Sequence, residues 1–123
     1  MLIEQCSRPV QKQLTTNDVK QTNLAVSGKK FQQLLDESGK KKETRASVYG
    51  PDGKVHEIWF SDNEERSLEL TIGWRKFVVD YGLKECCDFV KVWMFRHRDT
   101  QNICLAIDAT RFSFTKQVSK RIS

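Results

Sequence analysis

The chain has 123 residues, 38% hydrophobic and 30% charged, with 21 Lys and Arg against 16 Asp and Glu, hence a net charge of +5. With 7 Phe, 3 Trp and 2 Tyr it has large side chains enough for one packed domain, which excludes wholesale disorder. No run approaches the roughly 18 apolar residues of a membrane span and no apolar leader opens the chain, so a soluble intracellular domain is expected.

Residues 1–8 and 113–123 are polar and weakly patterned, and they read as flexible tails around a domain spanning residues 9–112. The second tail is basic through Lys116, Lys120 and Arg121. Val10–Leu14 is a short strand, and Thr15-Thr16-Asn17-Asp18 supplies an N-cap for a very short helix. Leu24–Val26 is a second strand. Phe31, Leu34 and Leu35 then recur at helical spacing after Ser27-Gly28. Thr44–Tyr49 and Lys54–Phe60 flank Gly50-Pro51-Asp52-Gly53, a turn sequence that predicts a hairpin.

Ser67–Thr71 follows as a strand after the polar loop Ser61–Arg66. Trp74, Phe77, Val78 and Tyr81 fall at i, i+3, i+4 and i+7, which predicts a helix closed by Gly82. Phe89–Phe95 is a strand with Phe89, Trp93 and Phe95 on one side of the pleat. A polar bend at Arg98–Asn102 leads to a last strand over Ile103–Asp108. Seven short, mostly antiparallel strands in so small a chain must nearly close their sheet. The expected fold is mainly β, a seven-stranded open barrel whose ends are capped by two short α-helices.

The residues carry no pattern of catalytic chemistry. Cys6, Cys86, Cys87 and Cys104 have no C-x-x-C spacing and stand far from His56 and His97, so neither zinc nor disulfides are expected. Pro51-Asp52 lacks the following Glu-x-Lys of a nuclease metal site and is better explained as a turn. His97-Arg98-Asp99 has the first letters of a kinase catalytic loop but no glycine-rich loop before it. No G-x-S-x-G elbow or phosphate-cradling glycine cluster occurs. An enzyme, a cofactor and a small-molecule substrate are therefore not expected. Trp74 belongs to a core face, since its aromatic neighbours follow the helical period. Basic clusters at Lys40-Lys41-Lys42 with Arg45, and from Arg111 onward, are solvated faces or a polyanion surface. Polar segments over Lys12–Asn23 and Ser61–Ser67 are suited to phosphates and base edges, or equally to a protein partner.

Three stretches together resemble the plant-specific B3 DNA-binding domain. They are Lys12-Gln13-Leu14-Thr15-Thr16-Asn17-Asp18-Val19, Leu70-Thr71-Ile72-Gly73-Trp74-Arg75-Lys76-Phe77-Val78, and Leu83 through Phe95. The resemblance covers roughly residues 9–112. It implies a seven-stranded pseudobarrel with two helices that grips double-stranded DNA through two arms in the major groove, as part of a transcriptional regulator in a plant nucleus. By position, the first arm would use Lys12, Thr15, Thr16, Asn17, Lys20, Gln21 and Asn23. The second would use Ser61, Asn63, Arg66 and Ser67. Lys12, Lys20 and Arg66 would meet phosphates, Asn17 and Asn23 base edges, while Lys84 and Arg98 would stand away from the arms.

This chain departs from the family pattern at three places. Asn23-Leu24-Ala25-Val26 shortens the first arm, Asp62, Glu64 and Glu65 make the second acidic, and Cys87 replaces the glycine of a Gly-Asp pair. The alternative function is a protein–protein interaction module on the same barrel, with other regulatory proteins as partners and weak or no DNA binding.

Overall fold

The computed structural model describes residues 3–20, 23–32, 34–35, 43–62 and 67–111. In chain order the elements are β1 (Ile3–Cys6), β2 (Val10–Gln13), α1 (Thr16–Lys20), β3 (Leu24–Ser27), β4 (Thr44–Tyr49), β5 (Val55–Asp62), β6 (Ser67–Leu70), α2 (Trp74–Tyr81), β7 (Asp88–His97) and β8 (Ile103–Arg111). A 3₁₀ turn over Lys29–Phe31 follows β3.

Eight strand segments among the described residues fill seven positions of one curled sheet, ordered β1, β7, β8, β4, β5, β6, β3. β1 and β2 share the place beside β7: Cys6 pairs with Phe95, and Val10 with Val92. Ile3–Cys6 was expected as part of a tail and is instead a strand. The reason is non-local, because β7 extends to His97 and offers its free edge there. Ser7 stitches the break between the two segments, its N–H donating to Met94 O and its Oγ accepting the Met94 N–H. Pairing is antiparallel except between β4 and β8, which run parallel.

The sheet stays open between β2 and β3, its two edges. Lysines bridge the seam where no strand pairing does. Lys12 Nζ on β2 donates to Ala25 O on β3 at 2.6 Å, and Lys30 Nζ, beyond β3, donates to Pro9 O at 3.1 Å.

Inside the barrel, Leu24, Val26, Ala46, Val48, Ile58, Phe60, Leu68, Leu70, Val90, Val92, Met94, Leu105 and Ile107 are buried. The Phe89, Trp93, Phe95 side of β7 is the outer one, with Phe95 covered by Tyr49 at a ring separation of 5.7 Å. Helical segments close both ends. α1 and α2 share the end where β2 finishes and β3 starts, and buried Phe31, Leu34 and Leu35 fill the other.

α2 follows its periodicity: Trp74, Phe77 and Val78 are buried, and the Trp74 and Phe77 rings stack at 5.6 Å. Gly73 opens this helix at φ 99°, and a Cβ there would stand 2.4 Å from Glu57 O of β5. Only glycine meets both demands. At the other terminus Gly82, φ 57°, donates its N–H to Val79 O while Leu83 N–H reaches Val78 O, a Schellman closure. Tyr81 departs from the purely apolar role its spacing suggests. Its hydroxyl bonds the Asp52 carboxylate in the β4–β5 turn and lies 2.7 Å from His56 Nε2.

Candidate nucleic-acid interface

Arm 1 is the segment from Leu14 to Asn23 that joins β2 to β3. A helix of five residues has too few internal hydrogen bonds to persist alone, so the surroundings must hold α1. Asp18 does most of this. Its carboxylate accepts the Thr15 N–H at 2.9 Å, and its own N–H donates to Thr15 Oγ1 at 3.3 Å, which makes a capping box. Its other oxygen takes the Lys12 ammonium at 2.9 Å, and its backbone carbonyl accepts the Trp74 indole N–H at 2.8 Å. Asp18 is 5% exposed, so the Thr15 N–H and the Lys12 ammonium offset desolvation of its buried carboxylate, while the other two bonds satisfy its main-chain N–H and C=O. At the last turn Arg75 Nη1 donates to Lys20 O at 2.9 Å.

Held this way, arm 1 exposes Thr15, Thr16, Asn17 and Lys20 together. The first three line a concavity of about 350 Å³ with Gln13, Leu14 and Cys86. Cys86 adopts φ 62° and donates its N–H to Leu14 O at 2.7 Å, while Gln13 Nε2 donates to Cys86 O at 3.0 Å. The left-handed residue of this connection is thus Cys86, the neighbour of Cys87. Asn23 is half-buried at the far end of the arm, its Nδ2 donating to Glu69 Oε1 at 2.8 Å.

Lys12 stands at the root of arm 1, on β2 just before Gln13 and Leu14. Its ammonium is bound internally, to Asp18 and to Ala25 O, so its charge braces the root of arm 1. Lys84 differs from expectation. It lies two residues before Cys86, in the connection that touches Leu14, and so belongs to the arm-1 end of the barrel. Arg98, beyond the end of β7, stands about 30 Å along that strand at the opposite end, which is the end where β5 finishes and arm 2 leaves the sheet, so it differs from expectation as well.

Of arm 2, Ser61 and Ser67 are half-buried at the two roots, opposite Glu69 and Ser27 respectively. Asn63 and Arg66, with Glu64 and Glu65, lie outside the described residues, as do Gln21 of arm 1, Lys40-Lys41-Lys42 and residues 112–123. β3 and β6 are antiparallel, Leu24 facing Leu70 and Ser27 facing Ser67. Arm 1 therefore enters this four-residue ladder at one end, and arm 2 enters it at the other.

Behind the interface, Asp88 pairs with Arg111 across β7 and β8, 2.9 Å from Nε to Oδ1, and accepts the Lys84 N–H at 2.8 Å. Burial pushes this carboxyl up, but the guanidinium and the amide outweigh it and hold Asp88 below the usual carboxylate range. Arg111 is thereby a structural cation. Burial raises the Cys6 and Cys104 thiols above the ordinary value. Among the described residues no group of three or more His, Cys, Asp or Glu is placed to hold a metal ion.

Sequence reasoning missed Arg75 and Glu69, and read Trp74 only as apolar. Adjacency of Trp74 and Arg75 at a helix start was the available signal, but their acceptors lie 56 and 55 residues away.

An open, mixed barrel with two loop arms on one ladder defines the class as a B3-type pseudobarrel. Two solved structures share the fold. The Arabidopsis FUS3–DNA complex matches with a TM-score of 0.55 at 20% identity, over 85% of this chain and 98% of that one. The Arabidopsis thaliana protein At1g16640.1 matches with a TM-score of 0.52 at 15% identity, over 91% and 95%. No family model matches the chain.

Two Arabidopsis thaliana proteins named for a B3 domain are similar in sequence. At4g03170 is 44% identical over 115 residues, which is 87% of this chain and 46% of the relative. At4g03160 is 39% identical over 122 residues, 94% of this chain and 64% of the relative. The chain belongs to the B3 domain family. It spans about half the length of the first relative and under two thirds of the second.

Proposed function

We propose that this domain binds double-stranded DNA by inserting its two arms into the major groove, as the non-enzymatic DNA-reading part of a plant transcriptional regulator in the nucleus. The observation that carries the reading is the placement of the arms at opposite ends of the β3–β6 ladder. Four residues span about 10 Å, comparable to the roughly 12 Å width of a B-DNA major groove. Lys20 and Arg66 would neutralise phosphates. Thr15, Thr16, Asn17, Gln21, Asn23, Ser61, Asn63 and Ser67 would supply donors and acceptors to base edges and sugar–phosphate oxygens. Lys12 serves the same interface indirectly, by holding Asp18. Family membership and the fold shared with a protein solved on DNA support this reading.

A second reading, a protein partner on the same surface, is favoured by the carboxylates of Asp62 and Glu69 at the roots of the arms, which repel phosphates. A salt titration decides between them. Duplexes recovered by selection from a random pool should bind with log affinity falling against log salt at a slope of about −3 to −5, the signature of several phosphate contacts. No binding to any duplex at low salt would leave the protein partner.

A further inference from the structure

Arg75 stands outside every motif position assigned to DNA contact, on α2 rather than on an arm. It is solvent-exposed, and its Nη1 donates to Lys20 O at 2.9 Å. That bond sets the guanidinium at the foot of arm 1, where the chain leaves α1 toward β3. A guanidinium carries five N–H donors in a rigid fork, and one of them is engaged here.

The ion pairs formed among the described residues are Lys12 with Asp18, Arg45 with Glu57 and Arg111 with Asp88. Arg75 takes part in none of them. Lys20, on whose carbonyl it rests, contributes a second exposed cation, and Lys76 follows as a third exposed basic residue on the next position of α2. Exposed basic residues that take part in none of these ion pairs keep their charge available to an incoming anion.

We propose that Arg75 is a phosphate-binding residue, a third point of grip mounted on α2, and that Lys20 shares the same phosphate. The proposal rests on the DNA-binding reading above. Arg75 is oriented before DNA arrives, by its bond to Lys20 O, so little rotamer freedom is lost on contact. The rigid α2, packed through Trp74 and Phe77, thereby fixes where the backbone of the duplex lies relative to arm 1. Such a contact adds affinity uniformly across DNA sequences and carries no base preference.

The test compares wild type, Arg75→Gln, Arg75→Lys and Lys91→Gln, an exposed residue on the outer face of β7, on one duplex recovered with wild type. Affinity is measured from low to moderate salt, alongside thermal melting and amide exchange of Val19 and Lys20 in the free proteins. Arg75→Gln is expected to weaken binding about tenfold and to reduce the magnitude of the salt slope by about 1, equally on a scrambled duplex. Arg75→Lys should keep the slope, and Lys91→Gln should change neither quantity. An unchanged slope with faster exchange in α1 would make Arg75 only a cap for that helix and overturn the proposal. Loss of slope equal to that of Lys91→Gln would reduce it to diffuse attraction and overturn it as well. Wild type failing to bind any duplex would overturn the DNA reading itself, and this proposal with it.

Discussion

The indole N–H of Trp74 donates to the backbone carbonyl of Asp18 across 56 residues of sequence, at 2.8 Å. One residue thus does two jobs. Its ring fills the space between α2 and the sheet, stacked on Phe77, and its one polar atom satisfies a carbonyl that α1 is too short to satisfy itself. The core and the first arm are coupled at this bond.

That coupling separates two substitutions. Trp74→Ala should cost about 3–5 kcal/mol in urea unfolding, as expected for an emptied aromatic site. Trp74→Phe keeps the stack and leaves the Asp18 carbonyl without its donor, a loss of about 1–3 kcal/mol. The phenylalanine variant should also show faster amide exchange at Val19 and Lys20 than in β7. Equal protection in both places would mean that the indole N–H does not hold the arm.

Lys12→Met retains the aliphatic stem and removes the ammonium from a carboxylate that is almost wholly buried. Unfolding free energy should fall by about 2–4 kcal/mol, because the remaining charge is stranded. The salt slope of DNA binding should stay within error of wild type, since this ammonium is engaged internally. A slope reduced by about 1 would show instead that Lys12 meets a phosphate.

Gly73→Ala meets two obstacles, a φ of 99° and the Glu57 carbonyl 2.4 Å from the added carbon. Backbone strain and displacement of β5 together should cost about 2–4 kcal/mol. A melting temperature equal to that of wild type would show that the helix start can shift without consequence.

The pH dependence of stability should show Asp88 at the acid end. Its folded pKa lies below the ordinary value, so its contribution is present above the unfolded pKa and is lost as pH falls through the folded one. The stability difference between wild type and Asp88→Asn should therefore be constant above about pH 5 and shrink below about pH 4. Melting curves taken from pH 2 to 7 would reveal the convergence, and parallel curves would deny it.

Tyr81 should show the opposite sign at the basic end. Partial burial and the hydrogen bond to the Asp52 carboxylate push the phenol up to about 12. A folded pKa raised above the ordinary value of about 10 gives stability that is complete below pH 10 and lost as pH rises toward 12. The difference between wild type and Tyr81→Phe should fade over that interval. Tyrosinate absorbance from this residue should appear there too, later than in the unfolded chain.

Much of the fold was legible because it is written in local periods. The spacing of Trp74, Phe77, Val78 and Tyr81 marks a helix whichever partner covers it, and Gly50-Pro51-Asp52-Gly53 forces the chain to reverse between two alternating segments. Those signals yielded seven strand positions, helical segments at both ends and, with the Gly-Trp motif, the family. They also marked Thr15–Asp18 as a cap, since a capping box closes within four residues.

Tertiary structure alone decided the rest, for a physical reason that recurs. On β7 both faces are apolar, and alternation cannot tell which enters the barrel; the curl of the sheet put Val90, Val92 and Met94 inside and Phe89 and Trp93 outside. Ile3–Cys6 carries no strand pattern of its own and becomes β1 because β7 leaves an edge to pair with. Lys12 reads as a free cation until the fold buries Asp18 beneath it, and Arg75 reads as the polar side of a helix until that helix is set against α1. Periodicity reports which side of an element avoids water. It does not report which distant polar group an ammonium, a guanidinium or an indole N–H will find, because that choice is made only when remote segments pack and each buried donor and acceptor must be matched.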